Sequence, residues 1–321
     1  MQKIQHPRAF LITVFWTLGL LYLGSVVHAT ESSLACPDWP TCFGTMVPEM
    51  TGGVFWEHLH RLVAGGLMLF FGGATYLTFK ETPRFRWVRW WALAGMGLLL
   101  VQAVLGGITV ILRLPDAIST SHLGLAFLFL ALVTVLFTVT SNGWDDGGVA
   151  EKESAGAIRL AALTAVALTF LQSILGAAVR HTDAGVACPD VPLCLGQWIP
   201  PFQHGLVALH FGHRLLGIAL LAAVLWAGHL AFWRGRGIRM RILGVAAALA
   251  ALTQVLLGFL SVYLRLAVVP VSLHTLLAAT LLALLTTMAT LTWAPGPRSA
   301  EETGPRVGGG TAETARAKVG G

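Results

Sequence analysis

The chain has 321 residues, of which 55% are hydrophobic and only 11% are charged, and its formal net charge is +6. Soluble domains carry about 25% charged residues. This composition therefore excludes a soluble enzyme, a disordered chain and a DNA-binding domain. In a membrane protein, a basic excess records cytoplasmic loops rather than a nucleic-acid partner. We therefore predict a polytopic membrane protein that binds no nucleic acid.

Eight apolar stretches are each long enough to cross about 30 Å of hydrocarbon as a helix of about 20 residues. The apolar runs are continuous rather than alternating, which disfavours a β-barrel. The predicted fold class is an all-α integral membrane protein with eight transmembrane helices. The predicted spans are 10–29, 57–79, 89–112, 117–140, 157–179, 207–232, 240–263 and 268–293.

The distribution of Lys and Arg predicts the orientation in the membrane. The loops on the side of the two termini, together with the termini themselves, hold sixteen of these residues. The opposite loops hold only Arg113, Arg180 and Arg265. Because cytoplasmic loops are enriched in Lys and Arg, we expect both termini in the cytoplasm and the other loops outside the cell membrane.

Composition also divides the chain into segments. Residues 141–156 are rich in Gly and acidic residues, as in a linker, and residues from 294 onward are rich in Pro, Gly and Ala, as in a disordered tail. The predicted organisation is a four-helix half over 1–140, a cytoplasmic linker over 141–156, a second four-helix half over 157–293 and a cytoplasmic tail over 294–321.

The two halves repeat each other in sequence. CPDWPTC at 36–42 returns as CPDVPLC at 188–194, and QAVLGGITVILRL at 102–114 returns as QVLLGFLSVYLRL at 254–266. EHLHR at 57–61 likewise returns as HFGHR at 210–214. The motifs keep one order at an offset of 152 or 153 residues, which predicts a tandem four-helix unit. An even number of spans per unit gives both copies the same orientation, so they should be related by an axis along the membrane normal.

The repeat preserves a histidine near the start of the second and fourth helix of each unit. Ionisable side chains inside a span are costly and require a partner. One interpretation is hydrogen bonding between helices. The interpretation we favour is that two imidazoles from packed helices bind haem iron from both faces, with the bundle around the macrocycle. Zinc fits less well, because each pair lacks further ligands nearby. The four histidines are His60 and His122 in the first half, and His213 and His274 in the second.

Glu57 marks a difference between the halves. It precedes His60 by three residues, so both project from one helix face, whereas His210 holds the corresponding position in the second half. This difference suggests that one pocket does chemistry while the other carries electrons. The alternative is that Glu57 is an acid at a helix start, favoured by the helix dipole.

Arg61 and Arg214 each follow the histidine of the second helix in their unit. A guanidinium there can bind a haem propionate through paired hydrogen bonds, or it can anchor the helix at the membrane interface. The residues alone leave these two interpretations open.

The four cysteines lie in outer loops as two Cys-x5-Cys pairs. In an oxidising compartment two disulfides are expected, Cys36–Cys42 and Cys188–Cys194. Each is expected to staple a loop over the mouth of the bundle. A thiol–disulfide pair that is reduced during the catalytic cycle or assembly remains an alternative, as does pairing across the halves.

These motifs together resemble the haem A synthase family, membrane enzymes of cytochrome oxidase biogenesis. The resemblance covers residues 10–293 and is carried by CPDWPTC, by E-x-x-H-R at 57–61, by the four histidines and by the second cysteine pair. It implies eight helices in two halves. It also implies an oxidoreductase that converts the C8 methyl of haem O to a formyl group, giving haem A through an alcohol intermediate.

The resemblance also implies roles for individual residues. His60 and His122 would hold the substrate haem O, His213 and His274 would ligate a haem b cofactor, and Glu57 would act in catalysis. Cys36 and Cys42 match a redox-sensitive pair. The implied partners are haem O, the haem O synthase that supplies it, an electron donor, the lipid bilayer and a second copy of the chain.

Three other functions compete with this one. A dihaem b-type electron-transfer protein would explain the histidines but neither Glu57 nor the cysteines. A thiol–quinone oxidoreductase would explain the cysteines but not four histidines inside the membrane. A haem transporter or chaperone would bind haem without changing it.

Overall fold

A computed structural model describes residues 5–81, 83–144 and 152–294, and this part of the chain is helical. Eight of its α-helices are long and apolar enough to cross a membrane. The prediction of an all-α integral membrane protein with eight spans is therefore confirmed. The helices are α1 (His6–Ala29), α2 (Gly52–Lys80), α3 (Trp87–Ile111), α4 (Asp116–Thr140), α5 (Lys152–His181), α6 (Gly205–Arg234), α7 (Gly237–Tyr263) and α8 (Val268–Leu291).

Several helices begin before the apolar run that predicts them. The helix α2 starts at Gly52 and α5 at Lys152, each five residues earlier than expected. Hydropathy detects only the part of a helix that lies in hydrocarbon, whereas polar residues continue the helix beyond it. The helix α5 thus includes residues 152–156 of the predicted linker. Residues 145–151 of that linker, and the predicted tail from 295 to 321, lie outside the described residues.

The helices of each half form a ring. In the first half α1 contacts α2, α2 contacts α3, α3 contacts α4 and α4 returns to α1; α5 to α8 repeat this order. The helices α2 and α4 therefore stand on a diagonal of their ring, as α6 and α8 do. The halves meet where α1 and α4 pack against α8, and α4 also packs against α5.

Each half has its own apolar core. Phe10, Phe71 and Phe127 belong to the first core, and Val224 and Leu285 belong to the second. Large apolar side chains such as those of Leu69 and Ile218 instead cover the outside of the bundle, as expected where lipid is the solvent. Small residues bring some helices close together. A Cβ atom added to Gly228 of α6 would lie 2.8 Å from the main-chain oxygen of Gly244 in α7.

Two long loops, residues 30–51 and 182–204, connect α1 to α2 and α5 to α6 at the same end of the bundle. Each contains one disulfide, Cys36–Cys42 in the first loop and Cys188–Cys194 in the second. Each also contains an isolated bridge, between Cys42 and Thr45 and between Cys194 and Gln197. The sequence repeat is thus also a repeat of loop structure, and it places both loops over the second helix of their own half.

Candidate functional site

The four histidines of the repeat lie at matched positions in the two rings. His60 and His122 are on the diagonal helices α2 and α4, and His213 and His274 are on α6 and α8. The two helices of each pair stand on a diagonal of their ring of four helices. Each ring of helices therefore brings one pair of histidines towards the interior from opposite corners.

A glycine on the neighbouring helix supports each of these imidazoles. A Cβ atom would lie 3.1 Å from Cε1 of His60 if added to Gly24, and 3.3 Å from Cε1 of His122 if added to Gly106. The second half repeats both contacts, at 2.9 Å for Gly176 against His213 and 3.1 Å for Gly258 against His274. Both glycine pairs are 152 residues apart. The missing side chains let the rings lie directly against α1, α3, α5 and α7.

The ring nitrogens of these histidines have few partners within the protein. The Nδ1 atoms of all four are buried and make no hydrogen bond of normal geometry with the described residues. The rings as a whole are only partly buried. Buried polar atoms are usually paired, so unpaired imidazole nitrogens in a membrane bundle indicate a ligand. Two imidazoles facing each other across an apolar bundle suit the iron of a porphyrin.

Glutamine side chains hold the backbone beside two of the histidines. Nε2 of Gln172 donates to the main-chain oxygen of His213 at 2.9 Å, and Nε2 of Gln254 donates to that of His274 at 3.0 Å. Gln172 also lies 3.3 Å from Nε2 of His213. Its shorter bond to the backbone does not require that second contact, so the ring of His213 can give up the contact when it binds a ligand.

Glu57 joins α2 to the first disulfide loop. The residue is 4% exposed; its carboxylate accepts a hydrogen bond from the amide of Cys36 at 2.8 Å and pairs with Arg61 at 2.5 Å. The helix starts at Gly52, and its first turn holds no acidic residue. The alternative that Glu57 is favoured as an acid at the helix start therefore loses its basis, because the dipole acts mainly within the first turn.

The two arginines of the repeat bind the main chain of the disulfide loops. Arg61 donates to the carbonyl oxygens of Asp38 and Thr41 at 2.7 and 2.6 Å. Arg214 does the same in the second half, to Asp190, Leu193 and Cys188 at 2.9, 2.7 and 2.6 Å. The sequence predicted either a propionate contact or a position at the membrane interface for these guanidinium groups. In the structure they bind each loop to α2 or α6, which the sequence did not indicate.

Asp38 shapes the first loop from within. Its carboxylate accepts hydrogen bonds from the hydroxyl of Thr41 and from the amides of Phe43 and Gly44. These bonds, with the one from Thr41 foremost, lower the pKa of Asp38 below its usual value. The loop is therefore held by the charged form, and this contribution is lost when the pH falls through the lowered pKa. Asp190 accepts from the amide of Gly196 at 2.7 Å in the second loop.

His58, adjacent in sequence to Glu57, is buried beside the first disulfide and is not among the predicted site residues. One ring nitrogen and the sulfur atoms of Cys36 and Cys42 all lie within 4.8 Å of one another. The two cysteines could bind a metal ion only as thiolates. Because they form a disulfide, this group of residues is not a metal site. Comparing the two repeats would have singled out His58, because Phe211 stands at the corresponding position in the second half.

Comparison with known proteins gives consistent results along most of the chain. A family model described as cytochrome oxidase assembly protein matches residues 8–53 and 49–286. The chain is similar to a protein named haem A synthase from Halalkalibacterium halodurans, with 32% identity over 64% of this chain and 71% of that protein. A haem A synthase from Lysinibacillus sphaericus is 28% identical over 89% of this chain and 94% of its own length. One from Shewanella oneidensis is 25% identical over 82% and 86% respectively.

Proposed function

Because this chain belongs to the cytochrome oxidase assembly protein family, we propose that it is a haem A synthase. In this proposal it is an oxidoreductase acting on a methyl group, and it converts the C8 methyl of haem O to the formyl group of haem A. The observation that carries the proposal is the duplicated pair of histidines on diagonal helices, each ring resting on a glycine. A membrane bundle is also a suitable solvent for haem O, whose farnesyl tail is a lipid.

The second half is assigned to a resident cofactor. His213 and His274 would hold haem b, which supplies one-electron transfer when it is bound. Their unpaired Nδ1 atoms and the glycines Gly176 and Gly258 fit such a group. Gln172 and Gln254 hold the backbone at the two ligands. This half has an imidazole, that of His210, where the other half has a carboxylate.

The first half is assigned to the substrate. His60 and His122 would hold haem O, and Glu57 lies one helical turn before His60 on α2. Turning a methyl into an aldehyde removes hydrogen from carbon, so a proton acceptor near the substrate is needed. Glu57 is the carboxylate that can accept the proton or stabilise positive charge developing at the methyl carbon. Arg61 and the amide of Cys36 hold this carboxylate in place.

The orientation in the membrane supports the same assignment. The excess of Lys and Arg beside the termini supports a cytoplasmic position for both of them, and the disulfide loops would then lie outside the cell membrane, where disulfides persist. The substrate would arrive through the bilayer from the haem O synthase. The conversion takes electrons from the methyl carbon and adds an oxygen atom, so it needs both an oxidant and a source of oxygen; if O2 serves as both, the electron donor expected from the sequence supplies the further electrons that reduce it to water. A second copy of the chain is a further candidate partner.

Pigment analysis tests the proposed function directly. The protein should be expressed in cells that make haem O but lack a haem A synthase of their own, and the haems should then be extracted and separated. We expect haem A to accumulate, and we expect none in a matched strain that lacks haem O. A dihaem electron-transfer protein, a thiol–quinone oxidoreductase or a haem carrier would leave haem O unchanged in the strain that makes it, and that result would reject the proposal.

A further inference from the structure

The first disulfide has an imidazole beside it. His58 is 2% exposed, and one of its ring nitrogens lies within 4.8 Å of both Cys36 Sγ and Cys42 Sγ. The same turn of α2 contacts this cysteine pair twice more. Glu57 accepts from the amide of Cys36, and Arg61 donates to its carbonyl oxygen.

Hydrogen bonding assigns the roles of the two nitrogens of His58. Nε2 lies 3.1 Å from the carbonyl oxygen of Met46. A carbonyl oxygen only accepts, so Nε2 carries the hydrogen and Nδ1 has a free lone pair in the neutral ring. Nδ1 is buried and has no partner in the described part of the chain. Nε2 is committed to Met46, so Nδ1 is the ring nitrogen left to accept a hydrogen when one of the neighbouring sulfur atoms becomes a thiol.

The second disulfide has no such acceptor. Phe211 occupies the position of His58, 153 residues later, and packs against Cys188, Cys194 and Val207. The four sulfur-bearing residues are otherwise equally buried, at 0 or 1% exposure. The main-chain contacts of the two pairs differ: Arg214 donates to the carbonyl oxygen of Cys188 at 2.6 Å and Arg61 to that of Cys36 at 3.5 Å, and Glu57 binds the amide of Cys36. The burial of the sulfur atoms is matched, and exchanging the residues at positions 58 and 211 separates the effect of the imidazole from that of these contacts.

We propose that His58 is a positioning residue that makes Cys36–Cys42 the more easily reduced of the two disulfides. A dithiol reductant attacks one sulfur as a thiolate, so that a mixed disulfide forms as the Cys36–Cys42 bond breaks. The second thiol of the reductant then displaces the cysteine. Two electrons and two protons pass to the cysteine pair, and the reductant becomes a disulfide. One new thiol donates its hydrogen to Nδ1 of His58, which stabilises the reduced form; Phe211 offers nothing equivalent.

Redox titration of the full-length protein tests this inference independently of haem conversion. The purified protein is equilibrated in buffers of reduced and oxidised dithiothreitol, free thiols are trapped by alkylation, and each cysteine pair is quantified by peptide mass spectrometry. In the wild type we expect the equilibrium constant for reducing Cys36–Cys42 to exceed that for Cys188–Cys194 by about fivefold, as one net hydrogen bond provides. This ratio corresponds to about 20 mV for a two-electron couple.

Two reciprocal variants test whether His58 is the cause. His58→Phe should lower the equilibrium constant for reducing the first pair about fivefold, and Phe211→His should make the second pair easier to reduce. His58→Leu is a second variant without an acceptor and should behave as His58→Phe does, and the circular dichroism of each variant in detergent checks that it is folded. Equal values for both pairs in the wild type, or an unchanged first pair in folded His58→Leu, would overturn the inference.

Discussion

The two halves share a frame and differ in the chemistry placed on it. The features that hold histidines and loops are duplicated, including the supporting glycines, the loop-binding arginines and the disulfides. One group of differences lies on the turn of α2 and α6 that faces the disulfide loop. There Glu57 and His58 in one half correspond to His210 and Phe211 in the other. Duplication thus preserved the scaffold of both pockets while one turn of helix diverged, and that turn is where the functions of the halves should separate.

Removing a histidine ligand should produce the largest difference between the two halves. If the second half holds haem b, His274→Ala should abolish the haem b spectrum of the purified protein, because an imidazole ligand is lost. His122→Ala, the corresponding change in the first half, should leave that spectrum in place. Absorption spectra of the two variants at equal protein concentration make the measurement. Normal haem b content in His274→Ala would remove this residue as a ligand.

Removing the charge of Glu57 should stop the reaction while leaving the cofactor bound. Glu57→Gln keeps an oxygen acceptor for the amide of Cys36 but loses the carboxylate, so we expect haem A to fall at least about tenfold. Haem O or the alcohol should accumulate in extracts. The haem b spectrum should be unchanged.

His210→Gln is the matched change in the second half. It alters the side chain whose Nδ1 donates to the carbonyl oxygen of Ala184 at 2.9 Å, and haem A formation should continue. Near-normal haem A in Glu57→Gln would reject a catalytic role for this carboxylate. The assignment of the histidines would be unaffected by that result.

The sequence predicted the eight helices and the expected disulfide pairings because both depend on local signals. Hydropathy marks a span, and an oxidising compartment with two close cysteines favours a bridge. The roles of Arg61 and His58 could not be read in this way. Each depends on how a loop about 20 residues away in sequence folds back over the helix, and hydropathy and spacing say nothing about that. The glycines Gly24 and Gly176 were detectable in principle, since they follow the 152-residue offset.

The loop anchors should differ in their contribution to stability. Arg61→Ala leaves the buried carboxylate of Glu57 without its cation, so we expect a loss of about 3 kcal/mol. Arg214→Ala removes hydrogen bonds to three carbonyl oxygens but leaves no buried charge unpaired. It should lower the free energy of unfolding by about 1–2 kcal/mol. Unfolding of both variants in the same detergent gives the comparison. The double variant Arg61→Ala/Glu57→Gln should recover part of the loss, and equal losses in the two single variants would contradict the role assigned to the ion pair.

The smallest effect concerns the glycines beneath the imidazoles. A Cβ atom at residue 176 would lie 2.9 Å from Cε1 of His213, so the ring must shift in Gly176→Ala. Gly212 has no atom within 4 Å of an added Cβ atom, which makes Gly212→Ala a control in the same half.

Alanine favours a helix over glycine by about 0.5–1 kcal/mol, so the control should gain stability and keep its haem b spectrum. Gly176→Ala should lose that gain and shift the spectrum, because the displaced imidazole is a ligand. Gly258→Ala, with its contact at 3.1 Å, should shift the spectrum less. Identical spectra in all three variants would mean that the glycines serve helix packing rather than the position of the histidines.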